Sequence, residues 1–398
     1  MTAFEVLSAI TGGFLSLGIL ERFSHYRWLS RIPKRIHVAG TRGKSSVTRL
    51  LAAGLREAGT ITAAKTTGTL ARMILPDGEE IPVFRPSGPN IIEQKRIIAA
   101  AAEMGCEALV IECMALQPEL HWISENKLVR ATHAVITNCR ADHLDVMGPT
   151  EADVARTLAG ILPAGGVAFT AEQRHYDILE MAARDRGTEL IATTRQDVAA
   201  VTQAELDRFL YTEHAENVAL CLKVLEHFGV DRDTAMRGMW KAQPDPGAMS
   251  VYVVDFFGRQ IYFANGFAAN DPESTERVWN MARARHPDLD RVIAVFNMRA
   301  DRPSRTAQMV QDATFWHDAD SVLLMGTGAY HFASLASKRN IGPRRFVFVD
   351  QMGVDEVFES IVEVCGRSAL VIGMGNIGGP GLPLVRYFKN RAVLGGAA

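Results

Sequence analysis

The segment GTRGKS, residues 40–45, constrains the fold of this chain more than any other stretch. The residues before it, RIHV at 35–38, read as a short buried strand. The residues after it, 45–58, place Val47, Leu50, Leu51 and Leu55 on one helical face, and Gly59 supplies the stop. A glycine turn that opens a helix presents backbone N–H groups and the positive dipole end to an anion. Lys44 adds a cation for β- and γ-phosphates, and Ser45 offers a hydroxyl to Mg²⁺. The complete phosphate-loop pattern would place glycine at position 38, where Val38 stands. It is the strand–helix junction, more than GKS by itself, that favours phosphate binding over a plain turn.

At 398 residues the chain is long for one core and comfortable for two domains. A formal net charge of −2 gives no electrostatic basis for nucleic-acid binding. The five cysteines form no CxxC pair and no metal-ligand spacing, so they read as small core residues of a reducing compartment.

Residues 6–20 (VLSAITGGFLSLGIL) are apolar and uncharged, which is short for a membrane span. No basic segment precedes them and no small-residue cleavage site follows, so they do not read as a signal peptide. Gly12, Gly13 and Gly18 suit close helix contact. The basic run that follows (Arg22, His25, Arg27, Arg31, Lys34, Arg35) suits a cytoplasmic lipid surface. The expectation is a membrane-associating segment over 1–32; packing on a soluble body is the alternative.

Beyond it, strand and helix patterns alternate, which predicts an α/β architecture with a largely parallel sheet. Apolar runs at 108–111, 134–137, 166–170 and 189–192 read as strands, and 216–228 as a helix stopped by Gly229. QPDPG at 243–247 breaks both periods and marks a linker. A second α/β unit follows, with strands expected at 251–254, 261–264, 292–296, 322–325, 346–349 and 370–372, and helices at 272–286, 305–316 and 354–365. The domains are set at 33–245 and 246–398.

Three strands of the first domain end in polar chemistry. RIHV leads to Lys44 and Ser45, ALVI to Glu112, and AVIT to Asp142, His143 and Asp145. In a doubly wound sheet the carboxyl ends of parallel strands share one edge, and ligands bind there. One site could then hold a triphosphate, a hydroxyl, a carboxylate and an imidazole. Ser45 and Glu112 would serve one Mg²⁺ and His143 a second. Glu112 and His143 could each instead be helix caps.

GTRGKS, KTTGT (65–69), IEC (111–113) and NCRADHLD (138–145) together resemble the central domain of the Mur ligases and folylpolyglutamate synthases, and HAENVAL (214–220) is similar to their adenine-binding segment. Further segments narrow the resemblance: GPNIIEQK (88–95), ECMALQP (112–118), DHLDVMGPT (142–150), PDPGAM (244–249), NGFAANDPEST (265–275), NMRADRPSRT (297–306) and GMGNIGG (373–379) resemble the ligase subunit of bacterial poly-γ-glutamate synthase. That resemblance covers the chain from about residue 35 to near its end. It implies a Mur-ligase-like P-loop ATPase domain with a parallel sheet, followed by a smaller Rossmann-like domain.

The resemblance also implies an ATP- and Mg²⁺-dependent amide ligase that extends poly-γ-glutamate at the cytoplasmic face of the cell membrane. Its partners would be glutamate, the growing chain and membrane subunits of a synthase complex, with a homo-oligomer left open. Thr41, Arg42, Gly43, Lys44, Ser45 and Ser46 would hold the nucleotide phosphates, and His214 and Asn217 its adenine. Ser45, Thr67, Glu112 and His143 would hold metal. Lys44, Glu112, His143, Asp271, Arg299 and Arg302 would carry catalysis. Lys65 could act beside the Thr66–Thr67–Gly68 turn, or be a solvated loop lysine. Asp271 could orient ribose or amine, or cap a helix. The cluster of Arg299, Arg302 and Arg305 suits bidentate capture of carboxylates, or is a solvated loop. GMGNIGG reads as a structural turn near the cleft. Three departures stand out. No Mur-type UDP-binding domain precedes the phosphate loop. No lysine occurs between Lys127 and Lys223, where Mur ligases often carry a carbamylated one. Ala248 replaces the Mur linker arginine. The alternatives are a folylpolyglutamate-type ligase and a P-loop ATPase that forms no bond itself.

Overall fold

The computed structural model describes residues 2–392 except 69, 86–87, 210, 246–248, 270–271, 340 and 342–344. It divides into two compact units, 1–208 with 213–243, and 209–212 with 244–398.

Unit 1 is built on an eight-stranded sheet. Its strands are β1 (Lys34–Ala39), β2 (Thr62–Thr66), β3 (Arg72–Ile74), β4 (Glu80–Pro82), β5 (Ala108–Glu112), β6 (His133–Ile136), β7 (Val167–Thr170) and β8 (Glu189–Ala192), in the order β4-β3-β2-β5-β1-β6-β7-β8. Strand β1 lies centrally, parallel to β5 and β6, with Val38 opposite Glu112 and Val135. Its buried run makes the apolar reading correct, and the helix Lys44–Glu57 buries Val47, Leu50, Leu51 and Leu55 as the periodicity requires. The helix Ala215–His227 matches the expected element to one residue at each end. β3 and β4 form an antiparallel edge that the apolar pattern does not reveal, because β4 is largely exposed.

The structure departs from the expectation at Lys65 and Thr66 and extends the expected amino-terminal helix. Lys65 and Thr66 lie in β2, not in a loop, and both are wholly buried. The amino-terminal segment is one helix, Ala3–Arg31, that runs through the basic stretch as well; it is long and apolar enough to cross a membrane by length and composition. Pro33 ends it one residue before β1.

Unit 2 carries a six-stranded sheet ordered β13-β12-β11-β14-β10-β9. Its strands are β9 (Val251–Phe256), β10 (Arg259–Asn265), β11 (Arg291–Asn297), β12 (Ser321–Met325), β13 (Phe346–Phe348) and β14 (Ser368–Gly375). All pairs are parallel except the β9–β10 hairpin. Helices cover both faces, with one core around Trp279, Phe296, Trp316 and Phe332 and another around Phe263, Phe358 and Phe388. The helix expected over 305–316 is two pieces, Pro303–Gln311 and a 3-10 turn at Phe315–Asp318. Strand β14 takes up the first three residues of GMGNIGG.

Candidate active site

The chain passes from β5 on one side of β1 to β6 on the other, which makes the carboxyl ends of these strands a topological switch point. The loop after β1 is fastened to the segment after β6. Asn138 Oδ1 accepts from the Thr41 hydroxyl (2.6 Å) and the Arg42 N–H (3.1 Å), and Asn138 Nδ2 donates to Arg42 O (3.1 Å). The Thr137 hydroxyl also donates to Arg42 O (2.6 Å). A Cβ at Gly40 would lie 1.9 Å from Thr137 Oγ1, so that close approach requires glycine. Gly43 has φ +82°, and a Cβ there would stand 2.6 Å from Asn217 Oδ1. The loop and the start of the Ala215–His227 helix are thus in direct contact. Asn217 is held by Glu213 (2.8 Å), and His214 sits exposed at the N-cap position.

Lys44 curls over this loop, its ammonium donating to Gly40 O (2.6 Å) and Thr41 O (3.2 Å). Ser45 donates to Glu112 Oε2 at 3.0 Å, and the Thr67 N–H donates to the same oxygen at 2.6 Å. Glu112 is only 1% exposed, so its carboxylate is a buried acceptor held between the phosphate-loop helix and the turn after β2. Ser46 is half-buried on the first helical turn. Ser45, Thr67 and Glu112, expected apart in sequence and together in space, are together. His143 instead has Asp142 at 3.9 Å, and Asp142 also pairs with Arg42 at 3.5 Å. His143 stands at the N-cap of the short helix Leu144–Met147 with φ +49° and no side-chain cap bond, a conformation uncommon outside glycine.

Sequence reasoning missed the ion-pair chain behind the turn. Lys65 Nζ meets Glu93 Oε1 at 2.6 Å, and Glu93 is gripped by Arg85 through two bonds of 2.7 Å. Burial pushes the Lys65 ammonium below its ordinary range against the pull of Glu93. For Glu93 burial works toward neutrality, but the Arg85 and Lys65 bonds outweigh it and hold the carboxyl low. The signal available in the sequence was a lysine flanked by strand residues. A second buried set lies beside Glu112: His37 bonds Glu125 at 2.9 Å, and Cys113 lies 3.5 Å from His121.

In unit 2, Arg299 is bidentate with Asp301 (2.9 and 2.6 Å). Arg299, Arg302 and Arg305 line one pocket at the end of β11 with Asn297, Thr306 and Asn376, but its volume is about 20 Å³, room for little more than one water. Asn297 Nδ2 donates to the carbonyls of Asn376 and Gly378, so the glycine-rich turn is pinned to β11. Asp271 and Ala248 lie outside the described residues.

The loop fits a triphosphate. Its helix N-terminus lacks a side-chain cap, and its lysine is bonded to neutral carbonyls that phosphate oxygens would replace. Among the described residues no three His, Cys, Asp or Glu side chains are grouped for a metal. One carboxylate and one hydroxyl are a donor set suited to Mg²⁺, which takes its remaining ligands from water and phosphate.

A model of the Mur ligase middle domain matches residues 38–205, and one of the poly-gamma-glutamate synthase CapB C-terminal domain matches 251–391. The chain is 36% identical over 382 residues to the capsule biosynthesis protein CapB of Bacillus anthracis, covering 96% of this chain and 82% of that one. It is 35% identical over 373 residues to the PGA synthase CapB of Bacillus subtilis (strain 168), covering 93% and 94%. Escherichia coli FolC, solved with DHPP and ADP, shares the fold: TM-score 0.67, 18% identity, 92% and 91% covered. Fold and sequence together define an ATP-dependent ligase of the Mur-ligase class. Within that class the chain belongs to the poly-γ-glutamate synthase CapB family.

Proposed function

We propose that the chain activates a glutamate γ-carboxylate with ATP and joins it to a glutamate amine, extending poly-γ-glutamate at the cytoplasmic face of a membrane. The observation that carries this reading is the shared acceptor: one buried Glu112 oxygen takes bonds from Ser45 in the phosphate loop and from the turn at Thr67. It joins the nucleotide's end of the site to the turn where an acyl group would sit.

In the proposed reaction a carboxylate oxygen attacks the γ-phosphorus, the bond to the β-phosphate oxygen breaks, and ADP leaves. The amine then attacks the acyl carbon, phosphate departs with the carboxylate oxygen, and the amine loses a proton. Charge spreads over the equatorial phosphoryl oxygens, so positioning and neutralisation do most of the work. Lys44 exchanges its carbonyl partners for phosphate oxygens. Ser45 and Glu112 would hold Mg²⁺, which would supply further neutralisation of those oxygens. His143, with Thr67, is assigned to metal; His214 and Asn217 to adenine; Arg299 and Arg302, with Asp271, to the amino-acid substrate. The domain boundaries near 32 and 245 belong to the same proposal.

The test uses glutamate labelled with ¹⁸O in its carboxylates. ADP release that requires glutamate, with one ¹⁸O recovered in phosphate and γ-amide product formed, is expected. ADP release without glutamate would instead mark a non-ligating ATPase, and product formed only on a folate acceptor a folylpolyglutamate-type ligase.

A further inference from the structure

The amino-terminal helix is bare along most of its length. Phe4, Leu7, Phe14, Leu15, Ile19 and Leu20 are exposed, and burial starts only at His25 and Leu29. From Phe4 to Phe23 the helix rises about 30 Å, the thickness of a bilayer's hydrocarbon core. Its last turns are fastened to unit 1. Glu21 pairs with Lys95 at 2.8 Å, His25 Nε2 bonds Leu128 O at 2.8 Å, and Arg35 Nη1 donates to Leu29 O and Ile32 O.

At this foot lies a cavity of about 480 Å³, lined in part by Tyr26, Ser30, Arg35, Asn126, Arg130 and Thr132. Arg35 is the second residue of β1 and Thr132 precedes β6, so the cavity lies at the amino ends of the strands, away from the phosphate loop. Tyr26 is three residues past Phe23 and six past Leu20, about 5–9 Å along the helix. A headgroup layer is roughly 5–8 Å deep on each side of the hydrocarbon. A helix inserted through Leu20 to Phe23 therefore brings the cavity to headgroup depth.

The charge there is positive. Arg130 and Arg22 stand 4.9 and 5.5 Å from the centre of the Tyr26 ring. Arg35 donates to the carbonyls of Arg130, Leu29 and Ile32, which orient its guanidinium without cancelling its charge. Glu125, the carboxylate of the lining, is turned inward: one oxygen bonds His37 (2.9 Å) and the other accepts from the Ala131 N–H (2.8 Å). The hydroxyls of Ser30 and Thr132 add hydrogen-bonding capacity.

We propose that this cavity binds the phosphate of an anionic phospholipid from the leaflet in which the helix ends, with the acyl chains following the exposed helix. The proposal rests on the reading that the helix enters a membrane. It gives the chain a lipid preference set by a built site and not by diffuse basic charge.

The full-length protein is floated with vesicles of phosphatidylcholine, with and without phosphatidylglycerol. Arg130→Asn removes a cavity charge while keeping a residue that tolerates the φ of +46° found there. Ala164→Trp fills the exposed rim without changing charge. Arg27→Gln removes an exposed charge of the same helix outside the lining. The expected result is a several-fold gain on phosphatidylglycerol for wild type that both cavity variants lose. Arg27→Gln should lose clearly less than either cavity variant, and no more than about fivefold, the worth of one juxtamembrane charge. Neutral-vesicle binding and glutamate-dependent ADP release stay unchanged in all three. Equal losses for Arg130→Asn and Arg27→Gln with none for Ala164→Trp would overturn the proposal in favour of diffuse charge. If wild type binds no vesicles, the membrane reading fails. Thermal shift with monomeric short-chain phosphatidylglycerol then tests the cavity by itself. A shift abolished by Ala164→Trp supports it; no shift, or an equal shift with inorganic phosphate, overturns it.

Discussion

Each unit ends a central parallel strand in a glycine-bearing turn, yet the two turns are held differently. In unit 1 the turn is braced from outside, by Thr137 and Asn138 after β6, which take the Thr41 and Arg42 N–H groups and the Arg42 carbonyl, and Lys44 opens the helix that follows directly, with no side-chain cap. In unit 2 the turn after β14 is itself the ligand of a side chain, since Asn297 reaches across from β11 and occupies the carbonyls of Asn376 and Gly378. Glycine content alone does not distinguish a phosphate cradle from a structural turn. What distinguishes them is the lysine that opens the helix after the first turn, against the side chain from β11 that pins the carbonyls of the second.

The sharpest way to break this comparison is Lys44→Ala. Glutamate-dependent ADP release should fall by about 10³-fold or more, with the unfolding midpoint unchanged, because only neutral carbonyls lose a donor. A folded variant with wild-type turnover would put the two turns on equal footing.

Behind the unit 1 turn, Glu93→Gln should cost about 3–5 kcal/mol in denaturant unfolding, since it strands the buried Lys65 charge. The same substitution should alter acid unfolding. The folded Glu93 carboxyl is held below its unfolded value, so its contribution is complete above about 4.5 and fades as pH falls through the folded value. The variant should therefore lose stability less steeply than wild type on acidification.

Glu112→Gln should reduce turnover about 10²-fold and raise the Mg²⁺ concentration needed, while ADP binding by calorimetry holds. In unit 2, Asn297→Ala should cost about 1–2 kcal/mol of stability, as two part-buried carbonyls lose their donor, and leave nucleotide affinity intact. A loss of nucleotide affinity there would show the second turn to be a cradle as well. The smallest effect is expected from Arg302→Glu: about a tenfold rise in the glutamate requirement, little change in that for ATP, and a smaller difference at high salt.

The strands whose burial is continuous and apolar were legible, as β1, β5 and β12 show. Strand β2 was not, because its buried residues include Thr66 and Lys65, and the burial of Lys65 is made tolerable by Glu93 from a distant helix. Lys44, Ser45 and Glu112 were legible because their chemistry sits at strand ends. Thr137 was not, since its importance lies in how closely Gly40 approaches it, a distance that no local pattern encodes. Arg299 showed only half its situation: its partner Asp301 is two residues away in the same loop, and the pair reduces what looked like an unmet cationic cluster.

The joint between the first helix and β1 has a mechanical meaning. Only Ile32 and Pro33 separate Arg31 from Lys34, Ile32 is wholly buried, and β1 is clamped between two neighbours. The six residues of β1 then span about 20 Å before Gly40 begins. The connection is a strut with no slack. A surface that held the helix would also fix the height at which the phosphate loop stands above it, and that height would be set by the length of a central strand, which the sheet does not allow to stretch.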